Sequence, residues 1–202
     1  MLVWVALSVM GWSGGVRFFC GDETRLGLKT IGGRKIAARG IKPMGQVQWQ
    51  FQATYLYGIV EPKTGDSFFF EFSHLNTDCF QVFLNLVSQQ FKDDLLIIQL
   101  DNGGFHKAKR LQVPANIILL FQPPHCQATF WGEASPQKLA PELNPIEQVW
   151  QYLKRGLRWS LPTTLDQLRQ QLKQRLEALT TQVIASITGR ASILNALSVA
   201  GL

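Results

Sequence analysis

Cysteine and histidine are scarce, three of each in 202 residues. Cys20, Cys79 and Cys126 are odd in number, widely spaced and form no C-x-x-C. That excludes a disulfide scaffold and a zinc knuckle, and leaves reduced thiols in a reducing compartment as the expectation. Charged residues are few, at 17%, and acid is scarcer than base: 14 Asp and Glu against 20 Lys and Arg, a formal charge of +6. Between Thr24 and Val60 there is no acidic residue at all. Internal repeats and low-complexity tracts are missing. Between the two ends of the chain no 18-residue window is apolar enough for a bilayer span. Residues 1–16 (MLVWVALSVMGWSGGV) are uncharged. They have neither the basic flank nor the cleavage site of a signal peptide, and glycines break them. They stay unassigned, as a start in unrelated or frame-shifted sequence. The expected location is cytoplasmic and nucleoid-associated, with no membrane partner.

What is present is core. Hydrophobic residues make up 46% of the chain, enough to bury one ordinary domain. The basic excess, with a pI near 9.4, favours a polyanionic partner, nucleic acid above all. The run Arg25, Lys29, Arg34, Lys35, Arg39 and Lys42 falls in the acid-free stretch. It reads as a track for phosphates or as a solvated hairpin.

The local pattern predicts alternating strands and helices. Val16–Cys20 reads as a strand stopping at Gly21, followed by a turn at Gly32-Gly33. Residues 51–60 and 67–72 read as two strands joined by the turn EPKTGD. Phe80, Phe83, Leu84 and Val87 keep a 3.6-residue period, predicting a helix over 77–91. LLIIQL (95–100) and NIILLF (116–121) read as buried strands. From Asn144 onward, Ile146, Val149, Trp150, Leu153 and Leu157 share a helical face. Pro162 ends that helix and Thr163 can cap the next, which carries a stripe of Leu165, Leu168, Leu172, Leu176 and Leu179. The order predicts an α/β fold with a mixed sheet under helices. Trp49, Trp150 and Trp159 read as core. Residues 181–202, with Arg190 the sole charge, form a C-terminal tail or helix.

Three acidic residues stand out by position. Asp22 follows the first strand, Asp101 ends LLIIQL, and Glu147 lies in the first turn of an amphipathic helix. Ligands gather at the carboxyl ends of strands in open α/β sheets. Two Asp and one Glu converging there need cations to stay ionised, and an oxygen-only set suits Mg²⁺ or Mn²⁺. Two ions roughly 3.5–4 Å apart would clamp the attacking and leaving oxygens of a phosphodiester. Taken singly, each residue reads more readily as a cap or a complement to a helix dipole.

The text around them decides further. G-D-E-T-R-L-G (21–27), D-N-G-G-F-H-K (101–107), P-P-H (123–125) and P-E-L-N-P-I-E (141–147), in this order, resemble the DDE transposases of the mariner-type superfamily, in its bacterial insertion-sequence branch. The resemblance covers residues 17–125 and 141–175. It implies a ribonuclease H-like catalytic domain over 17–180, with Asp22, Asp101 and Glu147 as catalytic metal ligands and Mg²⁺ or Mn²⁺, two ions, as cofactor. It implies DNA strand cleavage at transposon ends and transfer into target DNA, by a homodimer. Glu23 reads as supporting the ligand beside it or as a solvated charge. Asn102 and His106 orient the site or contact phosphate, with a packed histidine as the alternative for His106. Arg25 and Lys107 are candidate DNA contacts. Asn144 and Pro145 read as helix cap and first position.

Two features depart from the family pattern. Nothing before Asp22 resembles its helix-turn-helix, and residues 126–140 form an insertion loop ahead of Glu147. The competing readings are a non-catalytic DNA-binding remnant of a transposase, or another ribonuclease H-like nuclease such as a junction resolvase.

Overall fold

A computed structural model describes residues 14–33, 36–42, 44–122 and 144–202. Residues 1–13 of the apolar start, Arg34, Lys35, the P-P-H motif and the insertion loop lie outside the described residues. A five-stranded sheet has the order β3-β2-β1-β4-β5. Its strands are β1 (Val16–Gly27), β2 (Ala53–Val60), β3 (Ser67–Phe72), β4 (Leu95–Leu100) and β5 (Ile117–Phe121). The strands β1, β4 and β5 run parallel, and β2 is antiparallel to both β1 and β3. This is the ribonuclease H-like α/β architecture the sequence leads one to expect.

β1 is the strand on which the sheet turns. Its first half pairs with β4, Val16 opposite Leu95 through Cys20 opposite Gln99. Its second half pairs with β2, Cys20 opposite Val60 through Gly27 opposite Ala53. The expected stop at Gly21 is therefore wrong, and Asp22 lies in mid-strand. The β2 ladder carries the chain through the glycine, and the glycine itself is needed for space: a Cβ there would come within 2.9 Å of Leu100.

Alternation along β1 splits the core into two layers. Phe19 faces α1 (Thr77–Gln90), packing with Tyr57, Ile59, Phe80, Phe83, Leu84, Val87 and Leu96. Cys20 and Leu26 face the other layer. It is built by α2 (Ile146–Gly156) and α3 (Leu165–Glu177) through Val149, Trp150, Leu153, Leu168 and Leu172. The C-terminal segment forms α4 (Thr181–Thr188) and α5 (Ala191–Ala200), with Ile184 and Leu197 buried. The helix boundaries shift slightly: Thr164, not Thr163, caps α3 by accepting from Gln167 N at 3.2 Å. β5 is not buried on both faces. As the edge strand it leaves Ile118 and Leu120 exposed. Among the described residues no single helix is long and apolar enough to cross a membrane.

Candidate active site

The parallel register brings two carboxylates together. Asp22 and Asp101 each lie two residues beyond the Cys20–Gln99 pair, the point where β4 gives out and β1 continues. Burial pushes the Asp22 carboxyl up from its ordinary 3.8 to about 7, helped by the charges of Glu23 and Asp101. An indole N–H opposes this: Trp150 Nε1 donates to Asp22 Oδ2 at 2.9 Å. Trp150 is core, as expected, and also a hydrogen-bond donor to Asp22, which its place in an apolar stripe conceals. Room for its ring comes from Gly58, the cross-strand partner of Asp22. A Cβ at residue 58 would lie 2.7 Å from the indole and 2.6 Å from Phe69. A lone glycine inside the strand FQATYLYGIV is the sequence signal for such a close approach.

Helix α2 is tied to β1 at two neighbouring residues. Asn144 Nδ2 donates to Gly21 O at 3.0 Å, and Trp150 reaches Asp22. Asn144 is thus not the side-chain cap its sequence suggests. Pro145 is the cap residue, with no side-chain bond, and the buried amide of Asn144 turns to β1 instead. Glu147 stands three residues after Asn144 and three before Trp150, so it shares their side of the helix. It lies half-buried at the helix N-terminus, on the face of the sheet that Asp22 addresses.

Glu23 points to the opposite face and is not a solvated charge. Its Oε1 lies 3.0 Å from His106 Nε2. His106 is buried on the 3₁₀ turn Gly104–Lys107, against the rings of Phe80 and Phe105. Its Nδ1 lies 3.0 Å from Asp101 Oδ1, in ion-pair range but off the axis of a straight hydrogen bond. Burial disfavours the imidazolium, but the bond and charge of Glu23, with Asp101, outweigh it and raise the His106 pKa. Asp101 Oδ1 also accepts from Gly103 N at 2.8 Å. Asn102 donates to Gln122 O at 2.5 Å and accepts from Lys107, whose amine sits over the Phe121 ring.

The basic segment leaves the sheet at Gly27. Arg25 donates to Phe51 O at 2.9 Å rather than turning to the carboxylates. Arg39 and Lys42 are exposed on an irregular arm, and so are Ile36, Met44 and Phe51. Trp49 is not core: it is 62% exposed, with Lys29 Nζ 4.8 Å from its ring.

The donor set is carboxylate oxygen at the rim of a sheet, with Asp22 pushed up to about 7 by burial first and by its neighbours' charge second. That chemistry fits a hard divalent cation. Mg²⁺ is held by one or two carboxylates together with substrate phosphates. Among the described residues no three Asp, Glu, His or Cys side chains are disposed to share one ion. The geometry is that of an open two-carboxylate site beside a helix carrying a third.

The sequence pattern of the DDE superfamily endonucleases matches residues 17–169. The chain belongs to this family. The uncharacterized protein y4pE/y4sA of Sinorhizobium fredii (strain NBRC 101917 / NGR234) is 31% identical over 101 residues, half of this chain and 64% of that protein. Among solved structures, the Mos1 transposase paired-end complex with left transposon end is similar with a TM-score of 0.59. It has 13% identity over 93% of this chain and 55% of that one. The Mos1 mariner paired end complex with Mn gives 0.58 and 14% over 85% of this chain and 51% of that one. The likeness to these structures shows the fold, and the chain spans between half and two thirds of the proteins it matches.

Proposed function

We propose that this chain is the catalytic domain of a mariner-type transposase of the bacterial insertion-sequence branch. In that reading it is a divalent-metal-dependent DNA endonuclease and strand transferase acting on transposon ends and target DNA. The observation that carries the reading is the meeting of Asp22 and Asp101 at the end of β4, with Asp22 pushed up to about 7. Family membership and the fold it shares with Mos1 support it. Asp22 and Asp101 would hold Mg²⁺ or Mn²⁺, with Glu147 delivered by α2. Two ions would supply charge for the attacking and leaving oxygens of an in-line phosphodiester displacement.

The protein's own residues do the rest. Trp150 and Asn144 pin α2 to β1, so that Glu147 is carried on a rigid element beside Asp22. The exposed arm of Lys29, Arg39 and Lys42 draws in the DNA backbone, and Lys107 lies beside Asn102 at the edge of the carboxylates. Its exposed Ile36, Met44 and Phe51 suit packing against a second copy in a homodimer. A cytoplasmic, nucleoid-associated location follows from a DNA substrate.

The test is nicking of supercoiled plasmid and of duplexes carrying terminal repeats, with Mg²⁺ or with EDTA. Asp22→Asn, Asp101→Asn and Glu147→Gln should each remove Mg²⁺-dependent nicking while the circular dichroism spectrum is kept. The open, two-carboxylate geometry favours a second reading, a DNA-binding transposase remnant without turnover. Binding without nicking by the parent chain would select it, and preference for branched DNA would select a junction resolvase.

A further inference from the structure

We infer that Glu23 and His106 are a positioning pair for Asp101, fixing one carboxylate oxygen so that the other faces a divalent cation. The inference rests on the reading of Asp101 as a metal ligand. Asp101 follows the last residue of β4, and its side chain is 58% exposed. An exposed carboxylate at a strand end is free to change rotamer, which costs precision in a ligand. Here Oδ1 accepts from Gly103 N at 2.8 Å, and His106 Nδ1 stands 3.0 Å from it on a second side, in ion-pair range.

The holding group is itself held. His106 Nε2 is engaged by Glu23, so the ring cannot turn its Nδ1 away from Asp101 without breaking a buried contact. The rings of Phe80 and Phe105, with centroids 4.5 and 4.1 Å away, close the remaining freedom. Glu23 comes from β1, 83 residues earlier, and its side chain is 8% exposed. Burying a carboxylate is costly without a partner, and this one is spent on the histidine rather than on solvent. The cradle is tight at residue 103, where a side chain would make Asp101 and His106 give way by a few tenths of an ångström. A Cβ there would lie 3.0 Å from Asp101 Oδ1 and 3.1 Å from His106 Nδ1. Adjacent residues of β1 thus serve the two carboxylates differently. Asp22 is turned to the α2 face as a ligand, and Glu23 is turned to the α1 face as support for Asp101.

The experiment measures binding of Mn²⁺ alone to the full chain, by calorimetry and by electron paramagnetic resonance of the free ion, with melting temperatures in parallel. His106→Ala should weaken Mn²⁺ binding tenfold or more, the usual scale for outer partners of a ligand. Asn places its amide nitrogen where His has Nδ1, and Gln where His has Nε2. His106→Asn should therefore keep more of the Mn²⁺ affinity than His106→Gln, whatever their melting temperatures. Packing alone would not produce that order. Glu23→Gln should weaken binding in the parent and add nothing in His106→Asn. If Asp101→Asn loses Mn²⁺ while the His106 and Glu23 variants bind like the parent, the positioning role is overturned and the metal site stands. If Asp101→Asn binds Mn²⁺ like the parent, the metal site falls and the positioning role with it.

Discussion

Trp150 Nε1 donates to Asp22 Oδ2 at 2.9 Å across 128 residues of chain, and Gly58 makes the approach possible. The bond links the helix that carries Glu147 directly to the carboxylate in mid-β1. Trp150→Phe keeps an aromatic ring in the pocket but removes the donor to a mostly buried acid. Above pH 7, where Asp22 is ionised, a hydrogen bond to a charged group is worth about 1.5–3 kcal/mol. We expect a stability loss in that range by urea denaturation. Gly58→Ala should cost at least as much, because the indole must move. A loss below about 0.5 kcal/mol for both would show that the link is dispensable.

The metal-free chain should lose stability as pH rises. Asp22 titrates near 7 when folded, against an ordinary 3.8. Between those values the folded protein keeps a proton that the unfolded chain releases, so stability falls with pH, by on the order of 4 kcal/mol at most. His106, whose pKa is also raised, contributes stability that is full below its ordinary 6.5 and is lost as pH climbs through its folded value. Both slopes share a sign. Melts in EDTA from pH 4.5 to 8 should decline, and Asp22→Asn should flatten the part below pH 7. A rising profile would contradict the burial of Asp22.

Much of the fold is legible as local pattern. The segments 67–72, 77–90 and 95–100 are strand, helix and strand as turn signals, helical period and a continuous apolar run predict, each from its own few residues. Where the outcome depends on a distant partner, the text misleads. Gly21 looks like a strand end, yet β2 extends the strand past it. Asn144 looks like a cap, yet Gly21 O is the better-placed acceptor. Trp49 looks like core, yet it stands exposed on the irregular arm, against Lys29. At the site, the motifs mark Asp22, Asp101 and Glu147. The nearness of the first two depends on the parallel register of β1 and β4, which no local pattern encodes. Trp150 is hidden for a different reason: a stripe residue that packs and a residue that donates to a carboxylate read alike.

DNA affinity should depend steeply on salt and on the arm. Neutralising phosphates releases counterions, with a slope of about 0.9 per contact in log K against log salt. Lys29, Arg39 and Lys42 are exposed and none is part of the carboxylate cluster. The triple replacement by alanine should flatten the slope by up to about 3, measured by fluorescence anisotropy on a duplex at several salt concentrations. The melting temperature should hold. An unchanged slope would remove the arm from the binding surface.

The other end of β1 offers a control on stability that leaves the site alone. Arg17 pairs with Glu61 and Asp66 and reaches Asp94 at 3.4 Å, while its guanidinium stacks on Phe19 and Phe91 at 5.1 and 5.0 Å. Glu61 is only 6% exposed, and its Oε2 also accepts from Thr64 at 2.6 Å. Removing the cation leaves a buried carboxylate without its counter-charge, a change that costs about 3–5 kcal/mol when one partner of a buried pair is lost. Arg17→Met should fall at the lower end of that range, because Asp66 and Asp94 can turn to water. Adding Glu61→Gln should recover part of the loss, since a neutral amide does not need the guanidinium. Five residues at about 3.3 Å each separate Arg17 from Asp22, about 16 Å along the strand. Mn²⁺ affinity per folded molecule should therefore stay at the parent value while the urea midpoint drops. If Arg17→Met costs less than about 1 kcal/mol, the cluster is a surface feature. If Mn²⁺ binding falls with it, β1 transmits strain from one end to the other.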